Sequence, residues 1–192
     1  MLSLYHRIQK IESLQKTVDK EVRQCKSHTG IECLQHCAHC CSYEDITASP
    51  AEFLPFAWHA WRLGLLDQWF DELDKHDGTT CAFARLSEGA WGCKIYPARG
   101  LICRLFGFSA TTDKNGKALF AACHTLRQHK PELVESVNAY LDRGGKIPII
   151  ARYYQQLSAI EPSLGREMLP INQAIKKALE IIYFHFSYRE CA

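Results

Sequence analysis

The sequence lacks the features that would assign it to a membrane or to nucleic acid. No apolar run approaches the roughly 20 residues that a helix needs to cross a bilayer, and charges recur from Arg7 onward where a signal peptide would be apolar. The net charge is only +2, whereas nucleic-acid-binding proteins normally carry a strong basic excess. We therefore expect a cytoplasmic protein with no membrane partner and no nucleic-acid partner.

Recognisable catalytic signatures are also missing. The sequence shows no Ser-His-Asp arrangement, no paired-carboxylate motif and no glycine-rich strand-to-helix turn for a dinucleotide. Cysteine, by contrast, is abundant, with ten in 192 residues. Stable disulfides are rare in reducing compartments, so clustered cysteines in a cytoplasmic chain indicate metal ligands or redox centres. A disulfide-rich interaction protein is the alternative that the missing signal peptide argues against.

Hydrophobic periodicity predicts a mainly α-helical fold with a small β-hairpin, in a single domain spanning residues 1–192. We expect an N-terminal helix within residues 1–30, a cysteine-rich metal-binding core in 31–125 that the helices wrap, and a helical C-terminal part in 126–192. The first helix is predicted over residues 3–27 from an apolar stripe at spacings of three and four: Leu4, Ile8, Ile11, Leu14, Val18, Val22 and Cys25. Cys25 is accordingly predicted to be a core residue.

Local signals place the remaining elements. Ser49 and Glu52 form a capping box that begins a second helix at Pro50. Asn115-Gly116 predicts a hairpin with strands over residues 104–112 and 117–123, in which Cys123 lies near Phe108 and towards the same end as Cys103. A short strand is expected over residues 94–96. Three further helical segments follow prolines 131, 148 and 170.

Eight cysteines outside the terminal helices are the candidate metal ligands: Cys33, Cys37, Cys40, Cys41, Cys81, Cys93, Cys103 and Cys123. Zinc sites and iron–sulfur clusters typically take four thiolates each, so eight fit two four-thiolate sites or one larger shared site. Cys37 and Cys40 have a separation that lets two thiolates face one ion. Cys40 and Cys41 are chain neighbours that would close a small strained ring around one ion. We therefore expect them to serve different metal atoms, or one of them to be a reactive or supporting thiol.

Charged and basic residues near the cysteines could support such a centre. A divalent ion with four thiolates carries a net charge of −2, which is costly to bury without nearby donors or cations. Lys94, Arg99 and Arg104 are close enough in sequence to neutralise it. Three histidines adjacent to cysteines are candidate substitute ligands: His36, His39 and His124.

The ordered cysteine segments resemble the YkgJ-type cysteine-cluster family, whose CxxCxxCC domain is described as zinc- or iron-chelating. The segments that carry the resemblance are "CLQHCAHCC", "CAFA", "CKIYPARGLICR" and "AACH", spread over residues 33–123. The resemblance implies metal chelation by these cysteines. Two departures stand out: three residues separate Cys33 from Cys37 where the family usually has two, and Gly100 replaces a usual proline, which predicts a looser turn before Cys103.

Two functional hypotheses follow. The first is a metal-binding protein with a cysteine-ligated iron–sulfur or zinc centre in a redox, structural or accessory role, with metal ions as its partners. The family label and the aromatic segment "CRLFGF" favour iron–sulfur slightly. The second is a metal- or thiol-dependent enzyme of unknown substrate, which the family's similarity to a flagellin lysine methylase suggests. No motif for methyl transfer is recognisable, and the sequence does not identify a protein partner.

Overall fold

A long N-terminal helix opens the computed structural model, which describes residues 2–33, 37, 39–44, 46–87 and 90–187. Helix α1 spans Leu4–Thr29 and buries all seven residues of the predicted apolar stripe. The Ser3 side chain accepts a hydrogen bond from the His6 N–H at its start, and Gly30 ends it in the left-handed conformation, with φ of 69°. The predicted helix and the core position of Cys25 are thus confirmed.

Seven further α-helices lie in the described residues: α2 Leu54–Arg62, α3 Leu66–Asp74, α4 Leu101–Leu105, α5 His124–His129, α6 Pro131–Asp142, α7 Ile150–Ile160 and α8 Ile171–Ser187. The predicted capping box is present, and it begins a short 3-10 turn, Pro50–Phe53, that leads directly into α2. Prolines begin α6 and precede α7 and α8, as the sequence indicated. The short helices α4 and α5 were not predicted.

Small antiparallel strand pairs complete the described fold, so the protein is mainly α-helical with small hairpins. The strands are β1 Thr47–Ala48, β2 Ala84–Ser87, β3 Ala90–Cys93, β4 Ala110–Thr112, β5 Ala118–Phe120 and β6 Leu169–Pro170. β1 pairs with β6, β2 with β3, and β4 with β5. The hairpin predicted at Asn115-Gly116 is therefore present as β4–β5, with Ala110 opposite Phe120.

Two strand predictions need correction. Residues 104 and 105, the predicted start of the hairpin strand, are the end of α4 instead, a helix whose Ile102 N–H has a partner in the Glu52 carboxylate, 50 residues away. Residues 94–96 are not a strand either. β3 ends at Cys93, and a 3-10 turn occupies Tyr96–Ala98, where Pro97 has no N–H to offer a strand partner.

The hydrophobic core lies where α1 and α8 meet the other helices. α1 packs against α2, α4 and α7, while α8 packs against α2, α3 and the 3-10 turn. The buried face of α8 includes Ala174, Ile175, Ala178, Leu179 and Ile182, all with no exposed surface. Burial of such side chains contributes roughly 1.5–3 kcal/mol each for the larger ones. This core forms a rigid frame beside the cysteine-rich segments.

None of the helices in the described ranges has the length and apolarity needed to cross a membrane.

Candidate metal centre

Seven of the eight predicted metal ligands line one cavity of about 320 Å³. They are Cys33, Cys37, Cys40, Cys41, Cys81, Cys93 and Cys103. Helices α1 and α8 contribute the facing wall through Val22, Lys26, Ile171 and Ile175. Cysteines from positions 33 to 103 of the sequence thus meet at one place.

Local structure explains how the cysteines reach the cavity. Cys40 and Cys41 lie in a 3-10 turn, His39–Ser42. The Cys81 N–H donates to the Cys41 carbonyl oxygen at 3.1 Å, which joins the first cluster to the segment before β2. Cys93 is the last residue of β3 and pairs with Ala84. The β2–β3 hairpin therefore keeps Cys93 close to the chain that carries Cys81.

Cys103 is positioned by a buried carboxylate. Glu52 is fully buried, and its Oε2 accepts the Ile102 N–H of α4 at 2.7 Å. A Cβ placed on Gly100 would lie 2.6 Å from Phe53 Cζ and 2.7 Å from Glu52 Oε2. The turn before Cys103 is therefore tightly packed, and the looser turn expected from Gly100 is wrong. Glycine is required there because the Phe53 ring and the Glu52 carboxylate occupy the space of a side chain.

Cys123 is the one predicted ligand that does not line the cavity. Its Sγ accepts the Leu126 N–H at 3.4 Å and so caps α5. It lies beside Gly107, since a Cβ built there would be 3.9 Å from Cys123 Sγ, close to the predicted neighbour Phe108. Partial removal of the Cys33 sulfur from water raises its pKa although the residue is exposed overall, and the charges of Cys37, Cys40 and Cys123 raise it further. Cys123 is thus near enough to Cys33 to interact with it electrostatically.

The local environment makes most of these thiols reluctant to lose their protons. Burial is the main cause that raises the pKa of Cys81 and Cys93, and it raises the pKa of Cys103 well above its ordinary value. Cys40 is the exception, because a hydrogen bond with Cys41 at 4.0 Å lowers the pKa of Cys40 to about 7. A metal ion must displace the protons of the other thiols, so binding should weaken as pH falls.

Two cations face the thiols. The Arg99 guanidinium stacks on Tyr96, with its Cζ 3.8 Å from the ring centroid. The hydrogen bond with Cys41 is the main cause that lowers the pKa of Cys40, and the charge of Arg99 lowers it further. Lys26, which the sequence analysis missed, lines the cavity with its Nζ 4.4 Å from the Phe108 ring centroid. No local pattern marked Lys26, since it lies at the end of α1 and reaches the cysteines only through the fold.

The other two predicted cations are engaged elsewhere. Lys94 forms an ion pair with Glu72 and does not line the cavity. Arg104 lines the cavity, but its guanidinium pairs with Asp19 and donates to the carbonyl oxygens of Arg99 and Pro97 at 3.0 and 2.7 Å. Arg104 therefore fixes the turn before α4, and Arg99 is the arginine that faces the thiols.

The histidine predictions have separate outcomes. His36 lies outside the described residues. The ring centroids of His39 and His124 are 6.3 Å apart, and neither residue lines the cavity. Their proximity shows that the residue before Cys40 and the residue after Cys123 lie on the same side of the molecule. Their role as substitute ligands stays a prediction.

The cavity offers the donor atoms that zinc and iron prefer, but its cysteines would have to move closer together to bind an ion. Thiolates are preferred ligands of zinc and of iron–sulfur clusters. As they stand, no three Cys, His, Asp or Glu side chains within the described ranges are arranged to hold a metal ion. Metal binding would therefore draw the thiols together, so that it is coupled to local folding.

The fold and the site together define a mainly α-helical protein with a cavity lined by cysteines. A family model described as "CxxCxxCC: Putative zinc- or iron-chelating domain" matches residues 32–131, which is just over half of the chain. The chain belongs to this family, and the resemblance drawn from its cysteine segments is confirmed. No curated protein and no solved structure matches it.

Proposed function

We propose that this protein binds zinc or iron through the thiolates of the cysteine-lined cavity, as a cysteine-ligated iron–sulfur or zinc centre with a redox, structural or accessory role. The observation that carries the proposal is the presence of seven of the eight candidate cysteines on one cavity. The family to which the chain belongs is described as zinc- or iron-chelating, which also supports the proposal. The reaction or process that such a centre would serve is a separate question from metal binding.

Charge supports the same proposal. Four thiolates around a divalent ion leave an excess of negative charge that needs nearby cations or donors. Arg99 and Lys26 supply two positive charges on the cavity wall. The buried Nε of Arg99 has no hydrogen-bond partner among the described residues, so its N–H could donate to a sulfur ligand.

The size and walls of the cavity favour an iron–sulfur cluster, or more than one ion, over a single ion. A volume of about 320 Å³ greatly exceeds the roughly 30 Å³ that one water molecule occupies in the liquid. Phe106 and Phe108 line the cavity, as the aromatic segment in the sequence suggested. Apolar walls limit the access of water to a cluster, and solvent access is one of the factors that set the reduction potential of the cluster.

The decisive experiment measures the metal and acid-labile sulfide content of the anaerobically purified protein, together with its visible spectrum. Iron with matching sulfide and a brown chromophore would establish an iron–sulfur protein, and colourless protein with zinc would establish a zinc centre. The Cys103→Ser variant should lose metal, whereas Cys25→Ala should retain it, because Cys25 is a core residue away from the cavity. Wild-type protein with no metal and free thiols would refute the proposal.

A thiol-dependent enzyme is the second candidate function, and one observation favours it. The hydrogen bond with Cys41 lowers the pKa of Cys40, which favours its thiolate, as in reactive cysteines. Alkylation with iodoacetamide separates the two functions. A metal ligand at position 40 is protected in the metal-loaded protein, whereas a catalytic Cys40 is alkylated with metal present.

A further inference from the structure

We propose that a cleft between α1 and α7 binds a nucleoside monophosphate. The cleft has a volume of about 600 Å³ and lies apart from the cysteine-lined cavity. Small-molecule sites in proteins are typically clefts of roughly 300–1,000 Å³ with apolar walls and a few converging polar groups. α1, α7 and the connection from α6 to α7 supply most of the side chains that line it. This binding is a function beyond the proposed metal centre.

α1 separates the cleft from the cysteine-lined cavity. Glu21, Gln24 and His28 line the cleft, and their spacings of three and four place them on one face of the helix. Val22 and Lys26 lie on another face of α1 and line the cysteine-lined cavity. Of the cysteines in the described ranges, none lines the cleft. The two sites are therefore distinct and have α1 as a common wall.

Hydrogen bonds hold the wall between α6 and α7 in place. The Ala110 N–H of β4 donates to the Pro148 carbonyl oxygen at 2.7 Å, which anchors this connection to the hairpin. The Gly145 N–H donates to the Tyr140 carbonyl oxygen at 2.9 Å. A Cβ placed on Gly145 would lie 2.4 Å from the Tyr140 ring, so the ring rests directly on the backbone. The cleft is therefore preformed, which lowers the entropic cost of ligand binding.

Lys146 and Arg152 bring two positive charges to the cleft. Both side chains are exposed, and neither forms an ion pair with a residue that the structure describes. Asp142, at the end of α6, is paired with Lys117 at 2.8 Å. A phosphate monoester carries a charge of about −1.5 to −2 at pH 7, so two cations balance it. The planar arginine fork also binds phosphate oxygens in pairs.

An aromatic and apolar wall suits the base of the nucleotide. The ring planes of His28 and Tyr140 differ by 27°, with centroids 6.4 Å apart, so the two rings lie nearly parallel. The His28 Nδ1–H donates to the Gln24 carbonyl oxygen at 2.7 Å, which holds the imidazole in place. Leu141 and Ile147 extend the wall with aliphatic surface. Because bases stack on aromatic side chains, this wall favours a nucleotide over a simple phosphate.

A carboxylate in the buried part of the cleft sets the orientation of the ligand. Tyr153 is only 3% exposed, and its hydroxyl donates a hydrogen bond to Glu21 Oε2. Within the described part of the chain, Glu21 Oε1 has no hydrogen-bond partner, so it can accept one from a sugar hydroxyl. A carboxylate repels phosphate. The phosphate is therefore directed to Lys146 and Arg152, and the ribose to Glu21.

Isothermal titration calorimetry of the full-length protein tests the proposal, with AMP, GMP, CMP and UMP as ligands. We expect at least one of them to bind at one molecule per chain, about tenfold or more tighter than ribose 5-phosphate or inorganic phosphate. The matching nucleoside, which lacks the phosphate, should also bind about tenfold or more weakly. Absence of saturable binding by all four nucleotides overturns the proposal. Equal affinity for inorganic phosphate also overturns it, because the cations alone would then account for binding.

Matched substitutions locate the site. Lys146→Gln and Arg152→Gln should each weaken nucleotide binding about tenfold, because each removes a charge-assisted contact with the phosphate. Both side chains are exposed, so the substitutions should leave the fold intact. The controls Lys114→Gln and Arg143→Gln remove exposed charges of the same kind that do not line the cleft, and they should leave affinity unchanged. A loss as large in the controls, or none in the cleft variants, overturns the assignment.

Hydrogen–deuterium exchange of wild type alone locates the ligand without any substitution. Addition of the nucleotide should slow amide exchange in residues 140–153 and in the last two turns of α1. The segments 33–41 and 81–103, which carry the cysteines, should change little. Protection confined to those segments would place the nucleotide in the cysteine-lined cavity and overturn the cleft as its site. Metal content does not enter this measurement, so its failure would leave the proposed metal centre untouched.

Discussion

Replacing Glu52 with glutamine should abolish a specific pH dependence of stability. Glu52 has no exposed surface, and its carboxylate accepts hydrogen bonds from Ser49 N–H and Ile102 N–H at 2.7 Å and from the Tyr154 hydroxyl at 3.1 Å. These donors favour the charged form, but burial outweighs them and raises the pKa of Glu52 from its ordinary value of 4.5 to about 7. Between pH 4.5 and about 7, the folded protein therefore keeps a proton on Glu52 that the unfolded chain has already released.

The sign and size of the effect follow from this difference. Because the pKa of Glu52 is higher in the folded state, its contribution is fully present below pH 4.5 and is lost as pH rises to about 7. A rise from 4.5 to about 7 corresponds to about 3 kcal/mol at 1.36 kcal/mol per pKa unit. Glu52→Gln has no such proton, although its amide leaves one backbone N–H without an acceptor, a pH-independent cost of about 1–3 kcal/mol.

The assay is urea unfolding of wild type and Glu52→Gln at intervals from pH 4.5 to 8. The difference in unfolding free energy, wild type minus variant, should fall by about 3 kcal/mol across that range. Both proteins are first stripped of metal, so that metal release at acid pH does not contribute to the difference. The exposed Glu132→Gln serves as control and should track wild type throughout. A difference that stays constant with pH would refute the reasoning about Glu52.

Three further predictions concern the cavity and its supports. Arg99→Gln should weaken cobalt binding about tenfold, equivalent to about 1.4 kcal/mol, because it removes a positive charge that faces the thiols. The control Lys94→Gln should leave cobalt affinity unchanged, because the partner of Lys94 is Glu72. Gly100→Ala should lower the free energy of unfolding by about 1–3 kcal/mol through overpacking, measured by urea denaturation, while Gly92→Ala, whose Cβ would be 3.6 Å from its nearest neighbour, should change it far less. Chelation should leave most helical circular dichroism intact but expose the segments that carry the cysteines to limited proteolysis, and loss of all helical signal would contradict this.

The helical frame could be predicted because its signals are local. The apolar stripe of α1, the capping box at Ser49 and the prolines near α6, α7 and α8 each depend on residues within one or two turns. The same holds for the Asn115-Gly116 hairpin, whose register follows from the turn. The candidate ligands could be predicted from cysteine count and spacing, without any knowledge of the fold.

The misassigned elements are those whose hydrogen bonds are satisfied from far away. α4 has a buried carboxylate at its first turn, supplied by Glu52 from another part of the chain. The Arg104 side chain pairs with Asp19, 85 residues away, and from there donates to the carbonyl oxygens of Arg99 and Pro97, which stabilises the turn that follows β3. Spacing along the chain contains no information about such partners. Sequence reasoning fails here because tertiary contacts override local propensity.

The same distinction separates the frame from the metal centre. α2 packs against both α1 and α8 in the hydrophobic core, which also buries Cys81 and has Cys41, Cys93 and Cys103 packed against it. The segments that carry Cys41 and Cys81 are joined to each other by a backbone hydrogen bond, and Cys103 is held by Glu52. Their sulfurs face a common space without reaching coordination geometry. A metal would therefore act as the cross-link that the apolar core cannot supply, with the preformed helices limiting the entropy that its binding must overcome.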